Sequence, residues 1–202
     1  MKTCYIVGAG DFYGEFDPTI PDLVIAADGG YDTLSEKGYK CDLFVGDMDS
    51  LMLHPTDVET LRYPVEKDET DMFLAYYEGK KRGYTNFRIY GGVGGRIDHT
   101  FANLSLLIHG KKAGDNIILV SDKYEIFAIK NEEITLKGSL GKTFSVFAFG
   151  EVARGVSICG AKYDIDNVTL TPDFPLGVSN SFDSSECKIR IDDGMLLIMQ
   201  EI

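Results

Sequence analysis

Two aspartates stand two residues apart directly behind an apolar run, in Gly46-Asp47-Met48-Asp49-Ser50 after Leu43-Phe44-Val45. In extended chain, residues i and i+2 share a face, so Asp47 and Asp49 can both reach one hard cation, and Ser50 offers a further oxygen. A second acidic cluster, Lys67-Asp68-Glu69-Thr70-Asp71, precedes a helical stretch. Asp68 or Thr70 would serve as a helix N-cap, and acids suit a first turn. Yet the span from Asp42 to Asp71 holds nine acids against only Arg62 and Lys67. Bound cations offset such repulsion, so Asp71 joins Asp47 and Asp49 as a candidate metal ligand. A third feature, Ala27-Asp28-Gly29-Gly30, closes an apolar run with an acid and two glycines; by itself it is an ordinary Asx turn. The fourth is Gly91-Gly92-Val93-Gly94-Gly95-Arg96-Ile97-Asp98-His99. A glycine loop entering a helix exposes N–H groups to an anion, and Arg96 can fork onto phosphate oxygens. His99 and Asn103, four apart, share the helical face beside it. The loop is not a P-loop, since no Gly-Lys-Ser/Thr follows, nor a dinucleotide fingerprint, since Ile97 takes its last glycine position. Gly8-Ala9-Gly10, behind the first apolar run, could approach a nucleotide, but a glycine turn accounts for it equally well. A divalent metal held by acids beside an anion-binding loop suits phosphoryl transfer from a nucleotide, where catalysis is mostly positioning and charge neutralisation.

These groups need a scaffold that lines them up. Cys4–Ala9, Leu23–Asp28, Leu43–Gly46, Phe87–Tyr90 and Ile117–Ser121 are short apolar runs bounded by Gly, Asp or Asn. Runs apolar on both faces suit strands covered on both sides, hence a parallel sheet. Helical stretches alternate with them. Tyr31–Lys37 stops at Gly38, Thr70–Arg82 at Gly83, and Ile97–Lys112 before Gly114, with Ile97, Phe101, Leu104 and Ile108 along one face. This alternation predicts an open α/β sheet over residues 1–122, with ligands outside the carboxyl ends of the strands. From about residue 123 to 202 the rhythm is all strand: Tyr124–Ile129, Glu133–Leu136, Thr143–Phe149, Val156–Cys159, Val168–Thr171, Lys188–Ile191 and Met195–Gln200, punctuated by glycines. Asp193-Gly194 reads as a hairpin turn. The second domain is therefore expected to be a small β-sandwich.

Composition agrees. The chain has 202 residues, 44 % of them hydrophobic, enough for a real core. Its formal net charge of −12 disfavours a broad nucleic-acid surface, although a metal-bridged nucleotide is still allowed. Cys4, Cys41, Cys159 and Cys187 are scattered without a C-x-x-C pair, which argues against zinc and for buried free thiols in a reducing compartment. No signal peptide is recognisable, and no apolar run nears the roughly 20 residues that span a bilayer. The expectation is a soluble, cytoplasmic protein that binds neither membrane nor nucleic acid.

The ordered set ADGG (27–30), GDMDS (46–50), KDETD (67–71) and GGVGGRIDHTFANL (91–104), followed by an all-β half with VSNSF (178–182), resembles the thiamine pyrophosphokinase family over nearly the whole chain. The resemblance implies an ATP-binding catalytic α/β domain and a thiamine-binding β domain. It implies pyrophosphate transfer from ATP to the thiamine hydroxyl with AMP released, Mg²⁺ as the metal, and a homodimer with thiamine between the α/β domain of one subunit and the β domain of the other. The family's acidic metal and phosphate site maps to Asp28, Asp47, Asp49 and Asp71, with Gly29 and the loop glycines Gly92, Gly94 and Gly95 on the ATP side. Arg96 and Asp98 match its Gly-Arg-x-Asp motif, and Ser179 and Asn180 its Ser-Asn pair. Lys67 and Thr70 fall on the thiamine side; the Lys67 charge is unfavourable beside a thiazolium, so it is expected to face phosphate. Some members stack a tryptophan on thiamine. This chain has none, and Tyr163 falls in its place. Asp71 and Asp98 are both candidates to accept the hydroxyl proton. Two rival readings are a haloacid-dehalogenase-type phosphatase, with Asp47 as covalent nucleophile, and a non-catalytic sensor of nucleotide or thiamine.

Overall fold

The computed structural model describes residues 2–20, 22–47, 52, 55, 57–64 and 68–202, and Asp49 and Lys67 lie outside them, as do Met48 and Ser50. The chain divides into two compact units, Met1–Gly110 with Gly114–Asp122, and Lys111–Ala113 with Lys123–Ile202.

The first unit is built on strands β1 (Cys4–Val7), β2 (Leu23–Ala27), β3 (Leu43–Gly46), β4 (Glu59–Arg62), β5 (Asn86–Tyr90) and β6 (Asn116–Val120), with helices α1 (Gly30–Glu36), α2 (Asp71–Lys81) and α3 (Ile97–Lys112). All the strand pairs are parallel, in the order β6-β5-β1-β2-β3-β4. Ile6, Ile25, Leu43, Phe44 and Ile89 are fully buried, as expected of strands covered on both faces. The order reverses beside β1: β2, β3 and β4 follow on one side, β5 and β6 on the other. Connections therefore leave the carboxyl ends of β1 and β5 in opposite directions and open a crevice between them. The α2 helix packs on β1, β2 and β3. Two of its side chains, the Tyr76 hydroxyl and the Lys80 ammonium, each donate at 2.6 Å to Asp115, which is buried just ahead of β6. A buried carboxylate with two such partners fixes the helix against the sheet.

The second unit holds β7 (Tyr124–Lys130), β8 (Glu133–Lys137), β9 (Thr143–Ala148), β10 (Ala153–Cys159), β11 (Ile165–Leu170), β12 (Gly177–Ser181), β13 (Glu186–Arg190) and β14 (Met195–Glu201). Antiparallel pairing gives one sheet in the order β12-β9-β14-β7 and another in the order β11-β10-β13-β8. Leu136, Val156, Ile158 and Ile189 from one sheet meet Phe144, Val146, Leu196 and Ile198 from the other in a common core, a β-sandwich.

Four expectations need correction. Asp193-Gly194 is not a hairpin turn: β13 pairs β8 and β10, while β14 pairs β7 and β9, so the chain crosses between sheets there. Gly194 still turns sharply, at φ +108°, but turn chemistry does not choose the strand's partner. In α3 the buried residues are Asn103, Leu106, Leu107, Ile108 and Gly110; of the expected stripe Ile108 is buried and Leu104 half-buried, whereas Ile97 and Phe101 are exposed. The strands β4 and β12 are additional to those expected. Cys159 is exposed, while Cys4 and Cys187 are buried and Cys41 is half-buried, all four free. Burial pushes the Cys41 and Cys187 thiols up to about 11, which keeps them unreactive. Among the described residues no helix is long and apolar enough to cross a membrane.

Candidate active site

At the crevice between β1 and β5 the backbones leaving the two strands run side by side. The Gly8 N–H donates to the Tyr90 carbonyl at 2.8 Å, Gly10 to Gly91 at 2.9 Å, and Asp11 to Val93 at 3.2 Å. Parallel pairing thus continues past the strands, with a closeness that only glycine allows. A Cβ on Gly8 or Gly10 would stand 2.8 Å or 2.7 Å from the Gly91 carbonyl oxygen, and Gly91 itself sits at φ +62°. These glycines form one wall of a cleft of about 340 Å³. Gly8, Ala9 and Gly10, which as sequence could equally be a nucleotide approach or a plain glycine turn, line the cleft. Their signal was the switch in strand order, which no local pattern carries.

The opposite wall comes from β2 and α2. Asp28 closes β2 in the left-handed region, at φ +49°, with its N–H donated to Val45 at 2.9 Å and its carbonyl accepting from Tyr31 at 3.1 Å. A non-glycine residue held this way costs of order 1 kcal/mol or more and is concentrated at functional sites. Gly29 then caps α1, and Gly30 runs directly beneath the Val7 carbonyl. Thr70 is the N-cap of α2, its hydroxyl accepting from the Phe73 N–H at 3.3 Å, so Asp71 is the first helical residue. The positive end of the helix favours a carboxylate there.

Beyond the glycine loop, Arg96 donates to Asp98 through Nη2 at 2.7 Å and Nε at 3.2 Å. Asp98 also accepts from the His99 N–H at 3.0 Å. The Arg96 guanidinium beside it holds the Asp98 carboxyl down at about 2. Asn103 is buried and donates from Nδ2 to the Gly92 carbonyl at 2.7 Å, which pins the loop from below.

Besides Gly8–Gly10, the cleft thus gathers Asp28, Thr70, Asp71, Gly92, Gly94, Gly95, Arg96, His99 and Asn103 from three further segments. Asp47 stands just past the end of β3, half-buried, and does not line the cleft; Gly29 and Asp98 are chain neighbours of lining residues but do not line it either. Among the described residues that line it, Arg96 is the only lysine or arginine. Carboxylate oxygens are the hard donors that Mg²⁺ takes, and Asp28 and Asp71 supply them. Among the described residues, no three His, Cys, Asp or Glu side chains form a group able to hold a metal. The Asp47, Asp49, Asp71 set depends on Asp49, outside those residues. The arrangement as a whole accepts a polyphosphate: loop and arginine for the anion, acids for a bridging cation.

The second unit has a smaller cavity of about 220 Å³, lined among others by Tyr163, Ile165, Val178 and Asn180. Tyr163 is 59 % exposed. Asn180 is buried, and Ser179 takes a left-handed conformation at φ +58°.

Residues 20–119 match the family model for the thiamin pyrophosphokinase catalytic domain, and residues 126–196 match that for the thiamin pyrophosphokinase vitamin B1 binding domain. The thiamine pyrophosphokinase of Bacillus subtilis is 28 % identical over 220 aligned positions that cover 99 % of each chain. A solved structure of thiamine pyrophosphokinase from Bacillus subtilis superimposes with a TM-score of 0.87 at 25 % identity, over 98 % of both chains. The yeast thiamin pyrophosphokinase structure, at 16 % identity and a TM-score of 0.72 over 100 % of this chain and 86 % of its own, shares the fold.

Proposed function

Because the chain belongs to the thiamine pyrophosphokinase family, we propose that the cleft at the β1/β5 switch point is its ATP site. As an enzyme of that family it transfers the pyrophosphoryl group of ATP to the hydroxyl of thiamine, giving thiamine diphosphate and AMP. The observation that carries the residue assignment is the interlocked pair of glycine segments, Gly8–Gly10 and Gly91–Gly95, with Asp28, Asp71 and Arg96 around one cleft.

In this reading the Gly91–Gly95 loop and Arg96 hold the polyphosphate, with Gly29, His99 and Asn103 supporting that side. Asp47, Asp49 and Asp71 would hold Mg²⁺, with Asp28 beside them. When bound, the ion would supply positive charge that offsets the charge of the polyphosphate. The thiamine oxygen attacks the β-phosphorus in line; its bond to phosphorus forms as the bond from phosphorus to the α,β-bridging oxygen breaks, and AMP leaves with that oxygen. Asp98, with its carboxyl at about 2 and both oxygens engaged by Arg96, is a weak base and serves to orient the guanidinium. Asp71 remains as the other candidate to take the hydroxyl proton. Tyr163, Ser179 and Asn180 hold thiamine from the β unit, with Thr70 on the α/β side and Lys67, also on that side, turned to phosphate. The enzyme works as a homodimer in which each site draws on both copies, in the reducing cytoplasm that free thiols suit.

With ATP, Mg²⁺ and thiamine, AMP and thiamine diphosphate should form in equal amounts; ADP with thiamine monophosphate would place the attack at the γ-phosphorus and sink the mechanism. Asp98→Asn should raise the KM for ATP about threefold, the worth of an exposed ion pair. It should leave the acid limb of the pH–rate profile in place. A limb that moves would make Asp98 the proton acceptor after all. Asp98 sits below its ordinary value of 3.8 in the folded chain, so its contribution to stability is present above that pH and fades as pH falls towards 2.

A further inference from the structure

Between β12 and β9 the register slips by one residue: Gly177 faces Val146, but Asn180 faces Phe144. Val178 and Ser179 therefore both oppose Ser145, a β-bulge, and bulges re-aim the side chains that follow them. The cost is visible at Ser179, whose φ of +58° is unusual for a residue with a side chain. Its N–H points away from the regular ladder and donates instead to the Ser145 hydroxyl at 3.0 Å. Beyond the bulge Asn180 turns inward, only 4 % exposed. Its Oδ1 accepts from the Tyr163 N–H at 3.0 Å and the Ser181 N–H at 2.9 Å, while Nδ2 donates to the Tyr163 carbonyl at 2.8 Å. The preceding residues pair with this strand through backbone alone, Lys162 N–H to Ser181 carbonyl at 2.9 Å and a bridge between Ala161 and Phe182. Asn180 extends that ladder by one residue with its side chain and grips both polar groups of the Tyr163 backbone.

Tyr163 is mostly exposed, with the Lys162 ammonium 5.3 Å from its ring centroid, so its backbone bonds to Asn180 are a main hold on it. The geometry points to Ser145 and Asn180 as positioning residues for thiamine recognition: Ser145 sustains the bulge, and the bulge lets Asn180 fix Tyr163 at the cavity rim. This rests on the reading of Tyr163 as a thiamine contact. It moves Asn180 from touching the substrate to holding the residue that does.

The test is steady-state kinetics on the whole enzyme, with separate KM values for thiamine and ATP. Asn180→Asp keeps the shape and both accepting bonds but sets an oxygen against the Tyr163 carbonyl. It should raise the KM for thiamine about tenfold, with the KM for ATP and kcat within about twofold. Ser145→Ala should raise it about threefold and Ser145→Thr, which keeps the hydroxyl, should restore it. This surface pair carries the test if Asn180→Asp fails to fold. In a Tyr163→Ala background Asn180→Asp should add less than about twofold, since the ring it positions is gone. A full additional effect there would mean direct contact and overturn the inference. So would equal changes in both KM values, or no thiamine effect from Asn180→Asp and Ser145→Ala while Tyr163→Ala has one. If Tyr163→Ala itself leaves the thiamine KM unchanged, the site reading falls and takes the inference with it.

Discussion

Asp71→Asn is expected to lower kcat for AMP formation by about 10²–10³, the scale of losing one group that stabilises transition-state charge. Asp71 lines the cleft, begins α2 behind the Thr70 cap, and rides on a helix anchored through Tyr76 and Lys80 to buried Asp115. Its position is therefore set by rigid structure, and the substitution removes the charge with almost no change in volume. Stability should fall by no more than about 1 kcal/mol, the worth of a carboxylate at a helix start. Relief of repulsion among the neighbouring acids works the other way. A melting temperature within about 4 °C of the parent, measured on the same samples, separates lost chemistry from lost fold. A kcat within about threefold of the parent would remove Asp71 from both the metal and the proton assignments.

Gly30→Ala should act in the opposite way, through packing alone. An added Cβ would run into the Val7 carbonyl, with its oxygen nearest, its carbon at 2.5 Å and the Gly8 nitrogen at 3.1 Å. These are backbone atoms. Val7 is held in register between Ala26 and Tyr90, so it cannot yield without breaking two strand pairs. Overpacking that the surroundings cannot relax costs about 3 kcal/mol or more. For a chain of this size that lowers the melting temperature by roughly 6–12 °C. Activity should fall as well, because Gly8 and Asp28 flank the contact. Thermal denaturation of the α/β unit checks this; a loss under about 1 kcal/mol would mean that the β1–α1 contact is looser than the geometry indicates.

Local chemistry was enough to define much of this protein. The Thr70 cap and Gly83 bracket α2, and the apolar runs around Ile6, Ile25, Phe44 and Ile89 mark strands buried on both faces, because these signals lie within one turn or one strand. The ordered motifs from Asp28 to Asn103 also carried the family. Other features depended on partners distant in sequence. Glu59–Arg62 and Gly177–Ser181 have no apolar run, and become strands only because β3 and β9 offer them a ladder. Ile97 and Phe101 fit the helical period but lie on the part of α3 that is not covered, so periodicity held only for the later half of the stripe, at Leu104 and Ile108. Asp193-Gly194 makes a turn, yet which sheet β14 joins is decided by the core it fills. That Asp98 accepts two bonds from Arg96 was not legible in the Gly-Arg-x-Asp spacing, which names the residues but not their rotamers. Gly8–Gly10 became one wall of the cleft only when β5 was placed beside β1. Side-chain type and spacing fix what a segment can do chemically, whereas strand order decides which segments meet, since it is the burial of the whole sheet that selects it.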